Sequence, residues 1–248
     1  MNDTDITPQS TEITPRAALY LMPVTLSDTD PAGVLPQKNL MLLRRINHFV
    51  VENLRTARRF IKKADRSIDL ESLHFVELNE HTDERDIPEM LNPVLQGNAV
   101  ALMSEAGCPA VADPGARLVE YAHRRGVEVI PLVGPSSILL ALMASGMNGQ
   151  NFCFRGYLPI DEKKRAEVIK YMISEIRKHD TTQIFIETPY RNNRLLDCLL
   201  KVVPSDINLC IGADITGPDE CIKTHSVADW KKLKPELTKL PTIFLLGK

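Results

Sequence analysis

The chain has 248 residues, 44% hydrophobic and 25% charged, which is enough apolar material for one large globular domain or two modest ones. Thirty Lys and Arg against 32 Asp and Glu leave a formal charge of −2, so a uniformly basic nucleic-acid binder is excluded, and so is disorder over the whole length. Five scattered cysteines with no C-x-x-C pair argue against a disulfide framework or a zinc site and for a reducing, cytoplasmic setting.

In chain order, residues 1–15 hold three acids, four threonines and no Lys or Arg, which reads as a flexible tail and not as a secretory signal. Residues 17–24 (AALYLMPV) predict a first strand and 46–52 (INHFVVE) a second, followed by a basic helix over 53–64. A third strand over 98–104 (NAVALMS) runs into Gly107. Asp113, Pro114 and Gly115 then open a helix over 116–125, with Asp113 as cap, and Gly126 stops it before a fourth strand over 127–133. Strands alternating with helices imply βαβ units and a mainly parallel sheet. After Gly134 come an apolar helix (ILLALMASG), a strand over 151–158, a charged amphipathic helix over 161–179, a strand over 183–187, a helix over 192–202, and strands over 207–213 and 241–246. The boundary falls near residue 134, giving an N-terminal α/β domain over 16–133 and a C-terminal α/β domain over 134–248. Residues 129–154 carry no charge, but Pro131, Gly134 and Pro135 interrupt them, and the apolar run is far short of the ~20 residues of a membrane span.

Several familiar sites are absent. No G-x-G-x-x-G follows the first strand, and no G-x-x-x-x-G-K-[ST], H-E-x-x-H or G-x-S-x-G occurs, which disfavours Rossmann, P-loop, zincin and hydrolase chemistry. Three features remain. The segment VALMSEAGCPAVADPG (100–115) carries a strand into a loop of small residues and one acid, Glu105. It suits a ligand at the carboxyl end of a sheet, or an ordinary link in which Gly107 and Gly115 serve the turns. In PLVGPSSILLALMASG (131–146), Ser136 or Ser137 is placed to cap a helix whose free N–H groups suit a polar ligand, although pattern alone favours a plain N-cap. Residues 41–66 hold eight basic side chains against Glu52 and Asp65. Arg55, Arg59, Lys62 and Arg66 recur at helical spacing along one face, as a phosphate-contacting stripe or as a solvated face.

On these residues the chain resembles the tetrapyrrole methylase superfamily of S-adenosylmethionine-dependent methyltransferases. It is most similar to the branch that 2′-O-methylates ribose in small-subunit ribosomal RNA. LYLMPV is similar to the opening L-Y-[IV]-V-P-T, VENLR to A-E-D-T-R, and MSEAGCPAVADPG to V-S-D-A-G-[TM]-P-x-[IV]-x-D-P-G. PLVGPSSILLALMASG and the FRGYLP beyond it, and then IFIETPYRNNRLLDCL, resemble two further family segments, so five matches stand in register. The resemblance implies an α/β fold of two domains with the cofactor cleft between them, as a homodimer. S-adenosyl-L-methionine would be held by Pro23, by Ser104, Glu105, Ala106, Gly107 and Pro109, and by Pro135, Ser136 and Ser137. It also implies Glu52 and Arg55 as the catalytic residues, Glu52 as base and Arg55 with the stripe fixing the RNA, ribosomal RNA or the small subunit as partner, and no metal. A small-molecule acceptor such as a tetrapyrrole, and a paralogue that binds cofactor or RNA without turnover, are the alternatives. The chain departs from the family at 25–31 (TLSDTDP), where glycines are expected. It departs again at 212–216 (GADIT), where A-R-E-[LI]-T-K is expected, and at the closing strand (LPTIFLL).

Overall fold

A computed structural model of the protein describes residues 13–233, 235–237 and 239–248, so most of the expected tail over 1–15 lies outside the described residues. The described chain divides into two units. One runs up to Pro23 and resumes over Leu35–Gly134; the other comprises Val24–Val34 and Pro135–Lys248.

The first unit is built on β1 (Leu19–Leu21), β2 (His48–Val51), β3 (His74–Glu77), β4 (Val100–Met103) and β5 (Val129–Pro131). Its helices are α2 (Gln37–Leu43), α3 (Leu54–Ala64), α4 (Asn92–Leu95) and α5 (Gly115–Arg124), and the short α1 (Pro31–Val34) belongs to the second unit. The sheet order is β3-β2-β4-β1-β5 with every pairing parallel, as the βαβ alternation predicts. A strand covered on both faces must be apolar throughout. β4, whose four residues are all buried, meets that condition at the sheet centre. Leu19, Val50, Val100 and Leu102 pack with Leu118 and Leu91 in one cluster. Pro131, which cannot donate to a ladder, is tolerated because β5 is an edge strand.

Two local choices govern how helices start behind these strands. Asn53 has extended backbone and its side chain accepts from the Thr56 N–H, an N-cap that starts α3 directly after β2. Ahead of α5 the N-cap position is Pro114, not Asp113. The Asp113 carboxylate lies one residue earlier and still accepts from the Gly115 N–H at 2.7 Å.

The second unit holds β6 (Phe152–Tyr157), β7 (Thr182–Glu187), β8 (Asn208–Ala213), β9 (Cys221–Ser226) and β10 (Thr242–Gly247) in the order β6-β7-β10-β8-β9. Only β6 and β7 are parallel, so this sheet is mixed. Its helices are α6 (Ser137–Ser145), α7 (Glu162–His179), α8 (Asn192–Val202) and α9 (Val227–Leu233). β10 shows why the core has two sides. Phe244 and Leu246 pack with Met172, Leu195 and Trp230, and the alternate residues Ile243 and Leu245 pack with Ala141, Leu142 and Ile215. Among the described residues no helix is long and apolar enough to cross a membrane.

Candidate active site

Because the first sheet is wholly parallel, the residues after β1, β2, β4 and β5 emerge at one end of it. They are Pro23, Glu52, Ser104 and the segment ending at Gly134. Open α/β sheets bind their ligands at this end. The Glu52 N–H continues the ladder to the Met103 carbonyl, and its side-chain Oε2 accepts from the Glu105 N–H at 3.0 Å. One acid thereby ties the end of β2 to the loop after β4. Burial pushes the Glu52 carboxyl above its ordinary value. The Glu105 N–H opposes that shift, and the nearby Asp113 and Glu105 charges add to it.

The loop between β4 and α5 is held in a conformation few residues adopt. Gly107 (φ 70°), Ala110 (φ 65°) and Ala112 (φ 62°) are all left-handed, and each alanine there costs on the order of 1–3 kcal/mol. Asp113 sustains the turn: its Oδ1 accepts from the Ala110 N–H at 3.0 Å as well as from Gly115, while its Oδ2 is buried without a partner. Burial raises this carboxyl too, against the N–H groups of Gly115, Ala110 and Val111. Two half-buried carboxylates, Glu52 and Asp113, bond to this strained loop, and such strain clusters at functional sites.

A second close approach lies at the ends of β1 and β5. A Cβ at Gly134 would fall 2.2 Å from the Cβ of Pro23 and 2.5 Å from its Cγ. A proline ring cannot swing away, so Gly134→Ala is expected to lower unfolding stability by about 1–3 kcal/mol, read from the urea midpoint. Cys108 completes the layer, its Sγ 3.8 Å from the Gly134 carbonyl oxygen. Burial raises its pKa, so the thiol stays protonated and poorly reactive.

The cofactor residues read from the sequence divide between the units. In the first, Pro23, Gly107 and Pro109 are buried, Ser104 is half-buried and donates to the Ala106 carbonyl, and Glu105 and Ala106 are exposed. Pro135, Ser136 and Ser137 open the second unit, where Ser136 takes the N-cap position of α6 but its hydroxyl makes no cap hydrogen bond, contrary to expectation. The basic stripe also needs correcting. The Lys62 ammonium is engaged by the carbonyls of Arg66 (3.1 Å) and Ile68 (2.6 Å), in the turn that follows the end of the helix at Ala64. Arg66 lies beyond that end, and Arg58 pairs with Glu71. Arg55 and Arg59 remain exposed on α3 with no ion pair among the described residues. Sequence reasoning read Asp113 as a helix cap and Gly134 as a break in the apolar stretch beside the domain boundary; the D-P-G triplet was the available signal for the first.

Two departures from the family pattern meet within the second unit. Ser27 Oγ, in TLSDTDP, donates to the carbonyl of Ile215, in GADIT, at 3.2 Å. Asp214 is buried in a left-handed conformation, and its Oδ2 accepts from the Asp219 N–H. Gly217 packs so closely that a Cβ there would be 2.0 Å from that oxygen. Asp214 therefore braces its own loop.

The sequence profile of the tetrapyrrole (corrin/porphyrin) methylases matches residues 34–230. The chain belongs to this family. Its membership makes it a methyltransferase. Among sequences, this tetrapyrrole methylase is 29% identical over 211 residues to a Vibrio cholerae protein named ribosomal RNA small subunit methyltransferase I. That match covers 85% of this chain and 69% of the other. It is 28% identical to a Halalkalibacterium halodurans protein of the same name, over 79% of this chain and 64% of the other. The chain thus spans about two thirds of the length of these relatives. Among solved structures, cobalt precorrin-4 methyltransferase aligns with a TM-score of 0.60 at 18% identity, over 95% of this chain and 98% of that one. A Thermus thermophilus uroporphyrin-III C-methyltransferase complexed with S-adenosylhomocysteine aligns at 0.56 and 18%, over 93% and 97%. At such identity these two establish the shared two-domain fold.

Proposed function

We propose that this protein transfers a methyl group from S-adenosylmethionine to the 2′-hydroxyl of a ribose in small-subunit ribosomal RNA. The similarity to the ribosomal RNA methyltransferases over most of the chain carries this reading. The chemistry of the first unit agrees with the cofactor, because Glu52, Glu105 and Asp113 gather acidic oxygens, one of them buried and unpartnered, where a sulfonium and an ammonium would be bound. Pro23, Ser104, Glu105, Ala106, Gly107 and Pro109, with Pro135, Ser136 and Ser137, are the residues assigned to hold it. Bound S-adenosylmethionine supplies an electrophilic methyl group.

The chain's own part is positioning and proton removal. Glu52 has one oxygen fixed by the Glu105 N–H and the other left to take the proton of the acceptor hydroxyl, and its raised pKa makes it a stronger base than an exposed carboxylate. Arg55 and Arg59, on the helix that starts at Asn53, hold the RNA backbone. With ribosomal RNA as acceptor, the working compartment is the cytoplasm.

Loss of one nucleoside methylation from small-subunit RNA, read by mass spectrometry in a strain lacking the protein, tests the acceptor. Calorimetry tests the cofactor. Gly107→Val places a β-branched residue at φ 70°, a strain of about 1–3 kcal/mol that lowers cofactor affinity by about 5- to 150-fold if the loop shifts to relieve it. No binding to the unaltered chain at millimolar cofactor would leave only a non-catalytic role.

We further propose a homodimer that covers α6. This helix is apolar on every side, yet Leu139 and Met143 are 53% and 79% exposed. Met143→Glu is expected to convert the dimer to a monomer in sedimentation; an unchanged mass would place the contact elsewhere.

A further inference from the structure

Away from the site above, a cavity of about 400 Å³ lies between the first turns of α7 and the length of α8, within the second unit. Its charged lining is Arg165, Arg194 and Lys201 against Glu162 and Asp197, a surplus of one positive charge. Arg194 is taken by Glu162, at 2.8 Å. Arg165 is the exceptional residue. It is 5% exposed, makes no ion pair within 4 Å among the described residues and meets only the more distant charge of Glu162, and its Nε is buried without any hydrogen-bond partner. Its Nη1 reaches only the carbonyls of Ile160 at 3.2 Å and Pro159 at 3.4 Å. A guanidinium removed from water without a close ion pair is unfavourable, and an oxyanion in the cavity is the group that would relieve it.

We propose that this cavity binds a phosphate group carried on a nucleotide, with Arg165 as its buried anchor and Lys201 as a second cation at the mouth. The carbonyls of Pro159 and Ile160 hold the guanidinium in place before the anion arrives. The volume is within the range of small-molecule pockets and exceeds what one oxyanion fills, and Cys198 and Val202 supply an apolar wall for a base. The inference goes beyond the methyl-transfer reading and does not use the cofactor site.

Cys198 gives a direct readout on the full-length chain, because it is a free thiol lining the cavity. Its alkylation rate is followed by peptide mass spectrometry, with exposed Cys221 as internal control. Adenosine 5′-monophosphate at about ten times its dissociation constant should slow Cys198 labelling about tenfold by mass action, and adenosine lacking the phosphate should not. Protection by a short single-stranded RNA at lower concentration than the mononucleotide would assign the phosphate to an RNA chain; protection by the mononucleotide alone would assign it to a free nucleotide. Either result supports the site. Arg165→Met should abolish protection. Lys201→Glu, at an exposed position that does not endanger folding, should weaken it by about tenfold or more. Unchanged Cys198 labelling in mononucleotide and in RNA, or full protection retained in Lys201→Glu, overturns the proposal. Neither outcome bears on methyl transfer, which is measured separately.

Discussion

Glu52→Gln is expected to lower the methyl-transfer rate by about 10²- to 10⁴-fold while leaving cofactor affinity close to that of the unaltered chain. The glutamine Oε1 can still accept from the Glu105 N–H, so the tie between β2 and the loop after β4 survives, but an amide cannot take a proton. The unaltered enzyme should lose activity as pH falls through the raised Glu52 pKa, with its inflection above the ordinary glutamate value, and the variant should lose that inflection. Stability gives an independent check. The folded pKa lies above the unfolded one, so the contribution of this carboxyl is fully present below the unfolded value of about 4.5 and is lost as pH rises through the folded value. The melting temperature of Glu52→Gln should therefore gain on that of the unaltered protein between pH 4 and pH 7. If cofactor affinity falls with the rate, and calorimetry shows it, Glu52 positions the loop and is not the base.

What the sequence disclosed, and what it hid, depends on where the information resides. β4 was legible because a central strand buried on both faces is an unbroken apolar run, and α3 because its Arg and Lys recur at helical spacing; the structure adds the Asn53 cap and the buried face of Ala57, Phe60 and Ile61. β3 and β9 were not anticipated. Both are edge strands whose side chains are mostly exposed or half-buried, so neither shows the alternation that a covered face imposes. α9 escaped for another reason: only Val227 and Trp230 of its seven residues are buried, too few to make a period. At the candidate site, Glu52 and the loop from Ser104 to Pro109 were singled out by the resemblance to the family motifs. The unusual backbone at Ala110 and Ala112 could not, since alanine carries no signal for a left-handed conformation and the bond from the Ala110 N–H to Asp113 is visible only in the structure. The contact of Ser27 with Ile215 spans 188 positions, so no local pattern could reveal that two departures from the family are neighbours.

Removing Arg55 and Arg59 together is expected to weaken binding to small-subunit RNA and to flatten its dependence on salt. Each phosphate contact contributes a slope of about 0.7–0.9 in log K against log salt, so the double alanine variant should lose up to about two units of slope. The two residues are one helical turn apart on α3 and exposed. Three other basic side chains nearby are engaged: Arg44 pairs with Asp65 at 2.5 Å, Arg58 with Glu71, and Lys62 with backbone carbonyls. Lys62 thereby becomes the control. Lys62→Ala removes the same charge but leaves the Arg66 and Ile68 carbonyls without their donor, so it should lower the melting temperature and leave the salt slope nearly unchanged. Cofactor affinity should be the same in all three proteins, because neither arginine belongs to the loop after β4. A filter-binding titration at two salt concentrations decides between the acceptors. A flat salt response in the unaltered chain, or equal RNA affinity in the double variant, would reject RNA and favour a small acceptor, for which an exposed pair of arginines has no use.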